Sequence, residues 1–189
     1  CDLADRILSS ILDTECAFMM QKHLEQNGIN FLLGDSVASF EKNTAIMNSG
    51  KTVHFDVLVL AVGVRANTSL IKDISGEVNR GILVNTKMET SIPDVYAAGD
   101  CTEGEDISFQ GKRVLAILPN AYMQGNCAGV NMAGNSAVFD KAIPMNSIGF
   151  FGLHAMTAGS YYTAEQGGEL YEEKTEHTLK RLFTKDDYL

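Results

Sequence analysis

The 189 residues are enough for one ordinary domain with a core, or for parts of two. Hydrophobic residues at 45%, charged residues at 21% and aromatic residues at 8% are globular proportions, which exclude a disordered or fibrous chain. With 24 acidic against 15 basic residues the net charge is −9, so nothing here neutralises a phosphate backbone, and nucleic acid is excluded as a partner.

The first residues, Cys1-Asp2-Leu3, lead directly into an apolar run with neither an initiating Met nor a signal peptide, so the chain reads as an excerpt. Asp13 caps an expected helix whose apolar positions Cys16, Ala17, Met20 and Leu24 recur at three- and four-residue spacing up to Gly28. Ile29 to Leu33 is expected as a buried strand, and Val37 to Glu41 as a second. Ala45 to Met47 and Thr52 to Phe55 flank Asn48-Ser49-Gly50, whose glycine can take the positive φ of a hairpin turn. Val57 to Val62 is apolar without alternation, the pattern of a strand buried on both faces, and it stops at Gly63. The apolar stretch Val57 to Val64 is far shorter than the ~20 residues a membrane-spanning helix needs.

Arg65 to Arg80 is polar and reads as a connection. Short strands are expected at Ile82 to Val84 and at Asp94 to Ala98, and Glu103 to Lys112 is expected as a charged loop. Val114 to Leu118 leads to Pro119, which opens a helix through about Met132 with apolar Ala121, Met123, Cys127, Ala128 and Val130. Beyond Pro144 come the apolar stretch Ile148 to Leu153, an acidic patch from Glu165 to Glu176 and a strand at Thr178 to Thr184. Lys185 to Asp187 is expected as a turn, with Tyr188-Leu189 beginning a hairpin partner. An acidic patch is a solvated face or a surface for a partner. Cys1, Cys16, Cys101 and Cys127 are scattered without a C-x-x-C pair, which disfavours zinc or a disulfide framework and fits a reducing cytoplasm.

G-x-G-x-x-G, G-x-S-x-G, H-E-x-x-H and P-loop motifs are all absent, which removes the common hydrolase and triphosphatase readings. His23, His54, His154 and His177 are isolated and receive no role. What remains is Thr90-Ser91-Ile92-Pro93-Asp94-Val95-Tyr96-Ala97-Ala98-Gly99-Asp100. A strand ending in Gly-Asp sets a carboxylate at the carboxyl edge of a sheet, where open α/β folds bind ligands, and Gly99 lets a ligand approach the backbone. Asp100 either accepts hydrogen bonds from a polyol there or caps its own turn.

This segment resembles the carboxyl-side flavin motif T-x-x-x-x-[VI]-Y-A-x-G-D of FAD-dependent pyridine nucleotide-disulfide oxidoreductases. Ala61-Val62-Gly63-Val64-Arg65-Ala66-Asn67 resembles the A-x-G-x-R-P-N that ends the family's NAD domain, with Ala66 in place of proline. Pro119-Asn120-Ala121 to Gln124-Gly125 resembles its P-x-A-x-x-Q-G helix. All three occur in the family's order and spacing. Asn79 to Val84 and Gly99-Asp100-Cys101 look most like the NADH oxidase, rubredoxin reductase and nitrite reductase flavoprotein branch.

The resemblance implies an α/β chain made of portions of two Rossmann-like nucleotide-binding domains, for FAD and NAD(P), plus the start of an α+β C-terminal interface domain. Residues 1–66 would be the second half of the NAD(P) domain, 67–138 the returning segment of the FAD domain and 139–189 the interface domain. Asp100 would bind the flavin ribitol or adjoining phosphate, with Gly99 giving backbone access. Ile117, Leu118 and Pro119 would lie beside the isoalloxazine ring, where the helix N-terminus faces the reduced ring's developing anion. Val62 and Gly63 would lie against the nicotinamide nucleotide. Cys101 is expected to be a packed thiol, since the family's redox cysteines lie in a segment this chain does not contain, so no catalytic residue is named. The implied parent passes hydride from NAD(P)H to FAD and electrons on to oxygen, a disulfide or a small redox protein, and dimerises through its C-terminal domain. The alternative is a non-catalytic flavin-dependent sensor or assembly module on the same scaffold.

Overall fold

The computed structural model describes residues 1–108, 111–160 and 167–186. They form a mixed α/β chain in two compact units. The first comprises Cys1–Val62, Asn146–Thr157 and Lys174–Leu179; the second comprises Gly63–Met145, Ala158–Glu173 and Lys180–Leu189.

In the first unit, helix α1 (Thr14–Gln26) begins as its sequence dictates, with the Asp13 carboxylate accepting from the Cys16 amide at 2.9 Å. Its Ala17, Met20 and Leu24 form a core with Ile7 and Leu12. Strands β1 (Val37–Glu41), β2 (Thr44–Met47) and β3 (Thr52–His54) follow as an antiparallel meander, and Gly50 takes the expected positive φ of 84°. Two expected strands are absent. Among the described residues Ile29 to Leu33 makes only one bridge, a parallel one between Asp2 and Leu33. Val57 to Val62 lies outside any strand, with Val59 80% and Val62 92% exposed. A buried parallel strand needs ladder partners on both sides, and among the described residues none pairs with this run.

The second unit opens with the short helix α2 (Ser69–Lys72) inside the expected connection. Strand β4 (Ile82–Leu83) pairs in parallel with β5 (Thr102–Asp106), which turns antiparallel onto β6 (Gly111–Arg113). Within the expected loop, Glu103 to Asp106 and Gly111 to Lys112 are therefore strand residues. Glu103 and Asp106 are buried because each carboxylate meets its own donors, with Ser108 and Arg113 serving Asp106. Asp94 to Ala98 is not a ladder strand. Tyr96 makes an isolated antiparallel bridge to Glu89, while Val95 to Ala98 still pack on the core of Ile71, Ile82, Val84, Met88, Cys127 and Ala128.

Helix α3 (Leu118–Met132) starts one residue before the expected proline, which lies in its first turn. Its buried face differs from the apolar set, being made of Asn120, Gln124, Cys127, Ala128 and Asn131, whereas Met123 is exposed. Strands β7 (Met145–Phe150) and β8 (Leu153–Ala158) pair as a hairpin, as do β9 (Glu169–Lys174) and β10 (Leu179–Thr184). The partner of β10 is thus the preceding strand. The expected partner beginning at Tyr188, like Glu165 and Gln166 of the acidic patch, lies outside the described residues. Elsewhere in that patch Glu172 pairs with Arg181 and Glu173 with Lys180, so part of its charge is neutralised locally.

Candidate functional site

Gly99 takes φ +88°, a conformation that side-chain-bearing residues rarely adopt, and so reverses the chain immediately before Asp100. The turn is closed by Thr102. Its amide donates to the Gly99 carbonyl at 2.9 Å, and its hydroxyl lies 2.8 Å from the same oxygen. Asp100 takes no part in that closure. It is exposed, and among the described residues no donor or cation meets its carboxylate.

On the other side the Gly99 amide donates to the side-chain carbonyl of Gln124, at 2.7 Å, from the second turn of α3. A Cβ built on Gly99 would stand 3.7 Å from that of Ala121, so the turn lies against the start of this helix. There Ile117 is the N-cap in an extended conformation and supplies no side-chain cap. The first-turn amides of a helix have no intrahelical partner, and Pro119 has no amide to satisfy, so the end is open and electropositive. Leu118 is 82% exposed and Pro119 is exposed beside it. Asn120 is fully buried; its amide donates to the Ile143 carbonyl at 3.1 Å, and its Oδ1 has no partner among the described residues.

A second brace holds the far side of β5. Glu103, 5% exposed, accepts from Asn79 Nδ2 at 3.0 Å and from the Arg80 and Gly81 amides at 2.9 and 3.0 Å. Gly81 has to be glycine for this seating, since a Cβ there would sit 2.8 Å from the Thr102 carbonyl carbon.

Gly99, Asp100, Ile117, Leu118 and Pro119 are therefore gathered around one turn and one helix end. Val62 belongs to the first unit and is exposed; Gly63 opens the second with φ +94° and open space about its Cα. Two shallow clefts lie elsewhere, one of about 510 Å³ beside Asp35 and Lys51 and one of about 520 Å³ beside Arg65 and Arg80.

Cys1, Cys101 and Cys127 are free thiols. Cys101 donates to the Ala98 carbonyl at 3.5 Å, and burial pushes the Cys127 thiol above its ordinary pKa. The His23 ring nitrogen lies 3.1 Å from the carbonyls of both Phe150 and Phe151, a packing role within the first unit. No helix among the described residues is long and apolar enough to cross a membrane. Gln124 and Glu103 received no role from the sequence. The only signal for the first was its place in the P-x-A-x-x-Q-G pattern, and Glu103 had none.

Residues 1–125, well over half of the chain, match the family described as pyridine nucleotide-disulphide oxidoreductase. The NADH-dependent phenylglyoxylate dehydrogenase subunit epsilon of Aromatoleum evansii is 33% identical over 98% of this chain and 46% of its own length. An NADH oxidase of Methanocaldococcus jannaschii is 37% identical over 73% of this chain and 32% of its own. The chain thus spans less than half the length of these curated relatives. Among solved structures, a FAD-dependent pyridine nucleotide-disulphide oxidoreductase from Desulfovibrio vulgaris superposes with a TM-score of 0.82 at 27% identity. That match covers 96% of this chain and 48% of the other.

Proposed function

The chain belongs to the pyridine nucleotide-disulphide oxidoreductase family, and from that premise we propose that it is part of a flavoprotein that takes hydride from NAD(P)H onto FAD. Electrons then go on to an acceptor such as oxygen, a disulfide or a small redox protein. The observation that carries this reading is the unclaimed, exposed carboxylate of Asp100 on a turn packed against the start of α3. An acceptor-only group at that place suits the hydroxyls of a ribitol chain.

The residues present fit the flavin. Gly99 leaves its backbone approachable, Leu118 and Pro119 offer an exposed apolar edge to a flat ring, and the uncapped helix end favours negative charge there. When bound, the flavin supplies the redox chemistry. This chain's residues would hold and orient it: Asp100 would take the ribitol or the adjoining phosphate with Gly99 giving backbone access, Ile117 to Pro119 would lie beside the ring, and Val62 and Gly63 would lie against the nicotinamide nucleotide. On this reading residues 1–66 are half of the NAD(P) domain, 67–138 the returning part of the FAD domain and 139–189 the start of an interface domain through which the protein dimerises. Scattered cysteines without a C-x-x-C pair favour a reducing, cytoplasmic setting.

The test uses the full-length protein. Asp100→Ala is expected to weaken FAD binding tenfold or more, on the order of one charge-assisted bond lost, while the apoprotein melts unchanged. Unaltered flavin affinity would sink the assignment of Asp100. Bleaching of the bound flavin by NADH or NADPH separates the oxidoreductase from a flavin sensor, which would bind flavin without bleaching.

A further inference from the structure

We infer that Gln124 is a positioning residue for the flavin: its buried side-chain carbonyl holds the Gly99 amide and thereby sets where the Asp100 carboxylate points. The inference rests on the flavin role proposed for Asp100 and adds to it the device that aims the group.

Glycine in a positive-φ turn has the widest backbone freedom of any residue, so a turn built on it directs its neighbour only if something outside restrains it. Gly99 is restrained on both sides. Its carbonyl is held by Thr102 from β5, and its amide is held at 2.7 Å by Gln124 from α3. The same Gln124 oxygen lies 3.1 Å from the Thr102 hydroxyl, whose single proton it shares with the Gly99 carbonyl, and the Gly99 amide fixes which end of the glutamine amide faces the turn. Gln124 is only 5% exposed, and Thr102 only 2%, so water competes poorly for these bonds. Asp100 has no tether of its own among the described residues, and its placement is inherited from Gly99. Gln124 therefore acts through that carboxylate while lying behind the turn.

A glutamine that merely fastened helix to sheet would lower stability without favouring one cofactor contact, and the experiment separates the two roles. In the full-length protein, Gln124→Leu, Asp100→Ala and the double variant are titrated as apoprotein with FAD, and the melting temperature of each apoprotein is recorded. Gln124→Leu is expected to weaken FAD binding about tenfold in the native background. In the Asp100→Ala background it should have almost no further effect, because the group it aims is gone, while the fall in apoprotein melting temperature is the same in both.

Equal affinity losses in the two backgrounds, or none, overturn the inference. If Gln124→Leu does not fold, Thr102→Val removes the hydroxyl that lies on both the Gln124 and the Gly99 oxygens, and so loosens the same turn, while leaving the bond from the Gly99 amide to Gln124 in place. It should give a smaller affinity loss, again only when Asp100 is present, and an additive loss overturns the inference equally. Asp100→Ala without effect on FAD would instead defeat the functional reading beneath it.

Discussion

At Glu103 two main-chain amides and the Asn79 side chain converge on one carboxylate, and that convergence makes burial of an acidic residue tolerable. Glu103→Ala strands the Arg80 and Gly81 amides beside the strand they are pinned to. It is expected to cost about 3 kcal/mol or more, seen as a lower denaturation midpoint. Glu103→Gln should recover most of that loss, because its carbonyl oxygen can accept from both the Arg80 and Gly81 amides while its NH2 faces an Asn79 side chain able to turn its own oxygen toward it. At residue scale the sequence made the turn at Gly99-Asp100 legible, since a glycine and a carboxylate after an apolar run are a local pattern. Gln124 and Glu103 were not legible, because their meaning lies in partners 25 residues away or nearly so.

Strand β5 shows the same limit one level up. Thr-Glu-Gly-Glu-Asp has little strand propensity, and its pairing is imposed by β4 on one side and β6 on the other. Val57 to Val62 erred in the opposite direction: the residues suit a buried strand, but burial is conferred by neighbours, and none of the described ones supplies it. The hairpin of β2 and β3 was readable because its turn chemistry is local.

That hairpin also carries a pH dependence. Asp35 accepts from the Ser49 hydroxyl and from the Ser36 and Ser49 amides, and these bonds, with the Ser49 hydroxyl foremost, hold its pKa below the ordinary 3.8. A carboxyl with a depressed folded-state pKa adds stability above the unfolded value and loses it as the pH falls through the folded one. Asp35→Asn should therefore lower the melting temperature at neutral pH and flatten the acid limb of its profile below about pH 4, so that variant and parent converge in acid. An acid limb identical to that of the parent would show the bonds to be idle.

For the whole molecule, the binding of two dinucleotides asks for pyrophosphate-cradling glycine turns, and this chain contains no G-x-G-x-x-G. The 189 residues expressed alone are expected to purify colourless and to show no NADH-dependent turnover. A yellow preparation with one flavin per chain would contradict this. The second unit has another property at this scale. Along α3, Asn120 reaches the Ile143 carbonyl, Gln124 the Gly99 amide, and Asn131 both the Lys87 and Ala137 carbonyls. An oily face could slip along its bed by a residue, about 1.5 Å, and lose little. This one would break every pair at once, so the amides index the rod to a single notch, and three separate loops inherit their alignment from it.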